Sequence, residues 1–559
     1  MKLKNLFKRI AAVAISTVML CTMAPAAFAA ESVETNGTIT INGNASVSVN
    51  DKEFKAYKIL DASGSGETVA YTVPESMISF YQNSVVDETD KALTGAALDA
   101  AVSTKIASYT AADMQTFAKA ALAAAKKADI IPATATGANN KVAFTGLHLG
   151  YYVIEDTTTP TGSDAVSAVM VDTTNPDAEI DLKASVPPVD KVIVDGSDVK
   201  ANEASIGDTV SFKITSTVPD VTGYEKYFFI VHDTLSKGLN YTDKSLTFKI
   251  GDTTLTAGTD YTVTTTVNND GTTDLKVVLN GAAAKFADKK GTAITITYDA
   301  VLNENAVTGG EPNTNTVNIE YSNNPAVTPS GENEPNPSDE DVTGKTPNST
   351  TETYVTELTI TKKDGNDAIL TGAAFRLEGN GVNMIVTTGT VYVVNDKGTY
   401  YKLNDGTYTT AVPTDATSSK YESTTVKYTA ETKVTITSDK TNNVYVEGFV
   451  GADGTLTFKG LGAGEYTLTE IVTPAGYNGI DPIKFTVSFD STTRKFSADN
   501  GIALDSTTNN LATTVINKAG NTLPSTGGMG TTLFYVIGGL LMAGAAVLLI
   551  TKKRMSNKG

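Results

Sequence analysis

Few side chains in this chain of 559 residues are suited to catalysis. His148 and His232 are its only histidines, and Cys21 is its only cysteine. Imidazole bases, thiolate nucleophiles and zinc sites therefore have almost nothing to draw on. The acidic pair Asp364 and Asp367, in Lys363-Asp364-Gly365-Asn366-Asp367, falls where turn residues belong. It lacks the full ligand spacing and the distal Glu of a calcium loop. No metal, no cofactor and no enzymatic activity are expected, and a surface hydrolase is disfavoured. What remains is the chemistry of lysine amines, carboxyl groups and asparagine amides set on strands. Strand alternation puts Leu358, Ile360 and Lys362 on one face and Lys363 on the other, while Val515 and Asn517 share a face. An apolar core favours neutral forms, lowering the pKa of an inward lysine and raising that of an inward carboxyl. A neutral amine can attack an amide carbon, and a protonated acid can polarise its oxygen and shuttle the proton.

The elements that position these groups lie between two signals. Lys2, Lys4, Lys8 and Arg9 precede an apolar run, Ile10 to Met23, and Ala27-Phe28-Ala29 follows as an A-x-A cleavage site. Residues 1–29 read as a secretory signal peptide. Removing it removes Cys21, so the exported chain holds no disulfide. At the other end stands Leu523-Pro524-Ser525-Thr526-Gly527, followed by an apolar stretch over 532–551 and a basic tail, 552–559, with Lys552, Lys553 and Arg554. The stretch is about the 20 residues a membrane helix needs, and the tail fits the positive-inside rule.

Between the signals the chain is long enough for roughly three domains. Net charge is −18 with no basic patch, which argues against nucleic acid as a partner. Alternating apolar and polar runs predict a mostly β protein, with the β-sandwich as the default architecture. The first unit, 30–184, carries a helical insertion that opens on Thr110 and Asp113 with a capping-box pattern. Within it Lys58 and Glu155 have no asparagine in register. Pro187-Pro188 marks its boundary. The second unit, 188–324, is almost free of helical periodicity. A run rich in Pro, Asn, Glu, Ser and Thr over 325–353 reads as a linker, and the third unit covers 354–520.

Several of these stretches carry a family resemblance. Leu523-Pro524-Ser525-Thr526-Gly527, with its apolar span and basic tail, resembles the LPxTG sorting signal of Gram-positive surface proteins. The resemblance implies that a sortase cleaves between Thr526 and Gly527 and transfers the threonyl group to an amine. The third unit, with Leu358-Thr359-Ile360-Thr361-Lys362, Gly464-Glu465-Tyr466-Thr467-Leu468-Thr469-Glu470 and Val515-Ile516-Asn517-Lys518, resembles the collagen-adhesin B-type Ig-like domains. It implies an isopeptide bond from Lys362 to Asn517, assisted by Glu470. Such a bond would close a loop of over a hundred residues, worth roughly 5 kcal/mol on the chain-entropy argument. The second unit looks like the middle domain of sortase-assembled major pilins, implying a bond from Lys191 to Asn315 with Asp233 as the acid; Asn313, on the same face, competes with Asn315. No such bond is expected in the first unit.

The resemblance to these pilins covers nearly the whole exported chain. It implies a shaft subunit of a covalent pilus supporting adhesion at the cell wall. Thr526 would be joined to a lysine of the next copy at the end of its first domain, a place held here by Lys183 in Ile180-Asp181-Leu182-Lys183 without the family's usual Tyr-Pro. Implied partners are a sortase, identical subunits, minor pilins and peptidoglycan. A monomeric wall-anchored adhesin is the alternative.

Overall fold

The computed structural model describes residues 37–520, except 65–68, 175, 340–341, 380–384, 389–390, 405–407, 432–433 and 437–444, together with part of 537–552. The signal peptide and the 523–527 pentapeptide lie outside the described residues, as does most of the 532–551 span. Among the described residues no helix is long and apolar enough to cross a membrane.

Strands with period-two burial dominate. In the first unit Gly37–Asn42 pairs antiparallel with Lys141–Leu147 and parallel with Asp177–Asp181. A second sheet is centred on Glu53–Ser63 and Gly150–Asp156. Ile39, Ile41, Phe54, Val142 and Ile154 fill the space between the sheets. Three helices, Ile78–Ser84, Gly95–Ala107 and Ala111–Lys127, lie between strands Ala70–Thr72 and Ala133–Thr136. The third begins with a complete capping box: Thr110 accepts from the Asp113 amide and Asp113 accepts from the Thr110 amide. Phe117, Ala118, Ala121 and Ala125 face the sheet from it. The two shorter helices were not legible in the sequence.

The middle unit is a sandwich of two sheets. One runs through Asp190–Asp195, Thr209–Thr217 and Ala293–Leu302; the other through Ser349–Tyr354, Asn313–Ser322, Phe229–Leu235 and Thr273–Leu279. Inward Phe212, Ile214, Phe229, Val231, Ile296, Val317 and Ile319 form its core, each worth about 1.5–3 kcal/mol when fully buried. The expected linker over 325–353 needs correction. Thr343–Lys345 and Ser349–Tyr354 both pair with Asn313–Ser322, so the sheet continues beyond the strand carrying Asn315. The run is polar because its inward positions are Ser349, Thr351 and Thr353, all buried; backbone pairing, not apolar area, holds it to the sheet.

The third unit also has two sheets. Thr356–Asp364 lies between Thr455–Leu461 and Leu511–Asn517, pairing parallel with the latter. Ala374–Gly379 and Gly464–Val472 lead the facing sheet. Between them the chain makes an excursion containing two small two-stranded sheets, Val391–Val394 with Tyr428–Glu431 and Tyr401–Lys402 with Tyr408–Thr409. The middle and third units meet closely: Ile206 donates its amide to the Gly460 carbonyl. Gly460 has φ +98°, and a Cβ there would sit 2.9 Å from Ile206, so glycine is required on both counts.

Candidate functional site: two buried lysine, carboxyl and asparagine clusters

Lys191 stands on Asp190–Asp195 at a position whose neighbours in register are apolar, and its side chain points into the sandwich. Lys191 and Asn315 are fully buried and Asp233 is 1 % exposed. The lysine belongs to one sheet; Asp233 and Asn315 belong to the other, on adjacent antiparallel strands where Asp233 faces Val317 and Leu235 faces Asn315. That register places the carboxyl and the amide diagonally on one face. Lys191 Nζ donates to Asp233 Oδ1 at 2.6 Å and Oδ2 at 2.5 Å.

A fourth residue joins them. The Tyr298 hydroxyl accepts from Lys191 Nζ and from Asn315 Nδ2, each at 2.7 Å, and donates to Asp233 Oδ2 at 2.6 Å. Amine and amide thus share one oxygen. Burial pushes the Lys191 ammonium down to about 8 against the opposing pull of Asp233. Burial, then the Asp233 charge, holds the Tyr298 phenol far above its usual range, so it stays a donor. Phe212 and Tyr298 rings flank the ammonium at 5.0 Å. Asn315 Oδ1 is buried with no hydrogen-bond partner among the described residues, leaving the amide carbonyl free to be polarised. Sequence reasoning missed Tyr298. The available signal was a hydroxyl at an inward position in Ile294, Ile296, Tyr298, Ala300, since a buried tyrosine needs a partner for its OH.

Asn313, the competitor, is also buried but fully employed. Its Oδ1 accepts from the Val307 amide, and its Nδ2 donates to the Val307 and Thr353 carbonyls. It clasps a loop, and its side-chain hydrogen bonds go to Val307 and Thr353 and not to Lys191.

In the third unit Lys362 and Asn517 are both fully buried. They lie on neighbouring parallel strands, where Lys362 faces Val515 and Asp364 faces Asn517. Asn517 Nδ2 donates to Glu470 Oε1 at 2.8 Å, and Ile480 donates its amide to Oε2. Among the described residues Lys362 Nζ donates to the Val515 and Lys363 carbonyls alone, at 3.3 and 3.4 Å. Burial holds its ammonium below the ordinary lysine value, opposed by the Glu470 charge. Asn517 Oδ1 is another buried oxygen without a partner among the described residues. Lys363 points outward and pairs with Asp367, and Asp364 accepts from the Asn366 and Ala368 amides in a turn.

The first unit has no comparable cluster at Lys58, which pairs with Asp61 near the surface. Glu155 takes hydrogen bonds from Tyr57 and Lys126. His232 meets Glu320 at 2.8 Å on an outward face. Lys183 lies just after Asp177–Asp181, half-buried, and among the described residues its ammonium has no hydrogen bond or ion pair.

Residues 197–325 match the family described as Gram-positive pilin backbone subunit 2, Cna-B-like domain. Residues 414–502 match a prealbumin-like fold domain, and 516–557 the LPXTG cell wall anchor motif. The Cna-B-like description thus falls on the middle unit, and the prealbumin-like one on the third. The trypsin-resistant surface T6 protein of Streptococcus pyogenes serotype M6 is 27% identical over 406 residues, 66% of this chain and 70% of that protein. The solved T6 backbone pilin of the same organism has 16% identity and a TM-score of 0.47, with 81% of each chain covered. The major pilin SpaD of Corynebacterium diphtheriae has 17% identity and a TM-score of 0.44, covering 88% of this chain and 99% of that one. The chain therefore carries pilin-backbone and prealbumin-like domains ahead of a Gram-positive wall anchor motif, and its place is the Gram-positive cell surface.

Proposed function

We propose that this surface pilin is the shaft subunit of a covalent pilus, in which a sortase joins Thr526 of one copy to Lys183 of the next. The observation that carries the reading is the situation of Lys183. It closes the first unit immediately before the pilin-backbone domain, with its backbone fixed and its ammonium free of partners among the described residues. In the transfer the Thr526–Gly527 amide breaks, and the Lys183 amine takes the threonyl carbonyl. Tension along such a fibre runs through the middle and third units and bypasses most of the first. These two stretched units hold the buried lysine, acid and asparagine clusters. In each, attack of Nζ on the asparagine Cγ forms an amide and releases Nδ2 as ammonia, and the carboxyl carries the proton from one nitrogen to the other. Lys191 would be joined to Asn315 with Asp233 as the acid, and Lys362 to Asn517 with Glu470. Peptidoglycan would receive the last subunit, and minor pilins would join at the ends.

The test is peptide mass spectrometry on detergent-resistant, high-molecular-weight wall material. A branched peptide joining the Thr526 carboxyl to the Lys183 side chain is expected. Linkage to peptidoglycan alone, without a ladder of multimers, would overturn the shaft reading and leave a monomeric wall-anchored adhesin.

A further inference from the structure

Lys183 is held by a strap that starts at an ion pair between a buried lysine and a half-buried aspartate, remote from it in sequence. Lys52 is 6 % exposed, and among the described residues the other buried lysines are Lys191 and Lys362. Its Nζ donates to Asp164 Oδ1 at 2.7 Å and to the Ala165 carbonyl at 3.0 Å, while Asp164 Oδ1 also accepts from the Ala165 amide. From this clamp, Ala165 to Ala168 run fully buried, and each residue is tied to something different. Val166 donates its amide to the Asn323 carbonyl of the middle unit at 2.8 Å. Ser167 donates its amide to Asp156 Oδ2, and its Oγ accepts the Lys183 amide at 3.2 Å. Ala168 donates its amide to the Lys183 carbonyl at 3.1 Å. Both backbone groups of Lys183 are thus bound to the strap, and the strap is bound to both units.

We propose that Lys52 is a positioning residue for sortase transfer: its ion pair with Asp164 pins the 164–168 strap, which presents the Lys183 amine at the junction of the first and middle units. The inference rests on the reading of Lys183 as acceptor. The physical logic is that transfer requires an amine held at one place for an enzyme-bound acyl group. A long lysine side chain can be aimed only if its backbone is fixed.

The experiment compares the full chain with Lys52→Met and Asp164→Asn, expressed with a pilin sortase. Amide hydrogen exchange at Ala168 and Lys183 should accelerate by about tenfold, as expected when a part-buried hydrogen bond between charged groups is lost. Exchange at Ile39 and Phe54 in the same unit's core should stay slow. The multimer ladder should fall while cleavage at Thr526 continues. A merely structural role would loosen the whole first unit, and unchanged exchange at Ala168 and Lys183 would overturn the proposal. Should Lys52→Met fail to fold, Asp164→Asn decides, because it keeps the Lys52 bond to Ala165. Lys183→Arg separates the two readings: a ladder that persists in it removes Lys183 as acceptor, and the exchange data alone then judge the strap.

Discussion

The middle and third clusters use the same three groups with the acid on opposite sides. In the middle unit the carboxyl grips the amine, and a tyrosine hydroxyl holds the amide. In the third the carboxyl holds the amide, and the amine has, among the described residues, two long contacts to carbonyls. Sheet geometry follows the same exchange. Asp233 and Asn315 share a sheet and Lys191 reaches across to them, whereas Lys362 and Asn517 share a sheet and Glu470 reaches across. A middle bond would staple the two sheets face to face; a third-unit bond would staple the first strand to its parallel last neighbour. The requirement common to both is three groups converging in a dry space, and different strand connections satisfy it.

The sharpest way to break this comparison is to remove each acid. Asp233→Ala should leave Lys191 buried with no carboxylate, costing about 3–5 kcal/mol, and should also lose a loop constraint of roughly 5 kcal/mol. Intact mass should exceed the value calculated for the cross-linked variant by one ammonia, and proteolysis should open the middle unit first. Glu470→Ala should show the same one-ammonia excess over its own cross-linked mass but a smaller loss, the constraint of about 5 kcal/mol plus about 1–3 kcal/mol for the Asn517 Nδ2 left without its acceptor, because Lys362 has no carboxylate contact among the described residues to lose. Equal damage from the two substitutions would mean that the placement of the acid is immaterial.

How much of this was legible depends on the kind of contact. Lys362 and Asn517 could be read because each stands two residues from apolar neighbours, and a strand has period two. Tyr298 shows in the sequence only as an inward hydroxyl whose partners are unnamed, and Lys52 does not show, since their partners lie on strands and loops far away in sequence. The 325–353 stretch misled for another reason. Its sheet positions are filled by serine and threonine, so composition spoke for solvent while backbone pairing with Asn313–Ser322 made it a strand. The two short helices were hidden similarly: Gly95–Ala107 buries only Leu98 and Val102, too few positions for a helical period to show.

A smaller effect should appear when the asparagine is removed and the ion pair is kept. In Asn315→Ala the Lys191 amine stays a titrating group, at about 8 in the fold against 10.5 in an unfolded chain. Below pH 8 both states carry the proton, and stability does not change through this group. Between pH 8 and 10.5 the unfolded state binds more protons, so stability rises with pH, by at most about 3 kcal/mol. An amide made from Lys191 does not titrate, so the parent chain should lack this rise. Thermal unfolding of the middle unit across pH 7–10 decides it, and parallel curves for the two chains would count against a cross-link at Lys191.

The finest distinction between the two clusters is Tyr298, which has no counterpart around Lys362. Its hydroxyl is the one atom that touches amine, acid and amide together. Tyr298→Phe keeps the ring packed against Phe212 and the Lys191–Asp233 pair in place, but strips Asn315 Nδ2 of its acceptor. An unsatisfied buried donor costs about 1–3 kcal/mol, and the freed amide can turn away from the amine. The middle unit should then lose its ammonia more slowly than the third in freshly made chains, as followed by mass against time. If both units mature together in Tyr298→Phe, the hydroxyl only fills space, and the carboxyl alone is sufficient in both settings, whichever partner it holds.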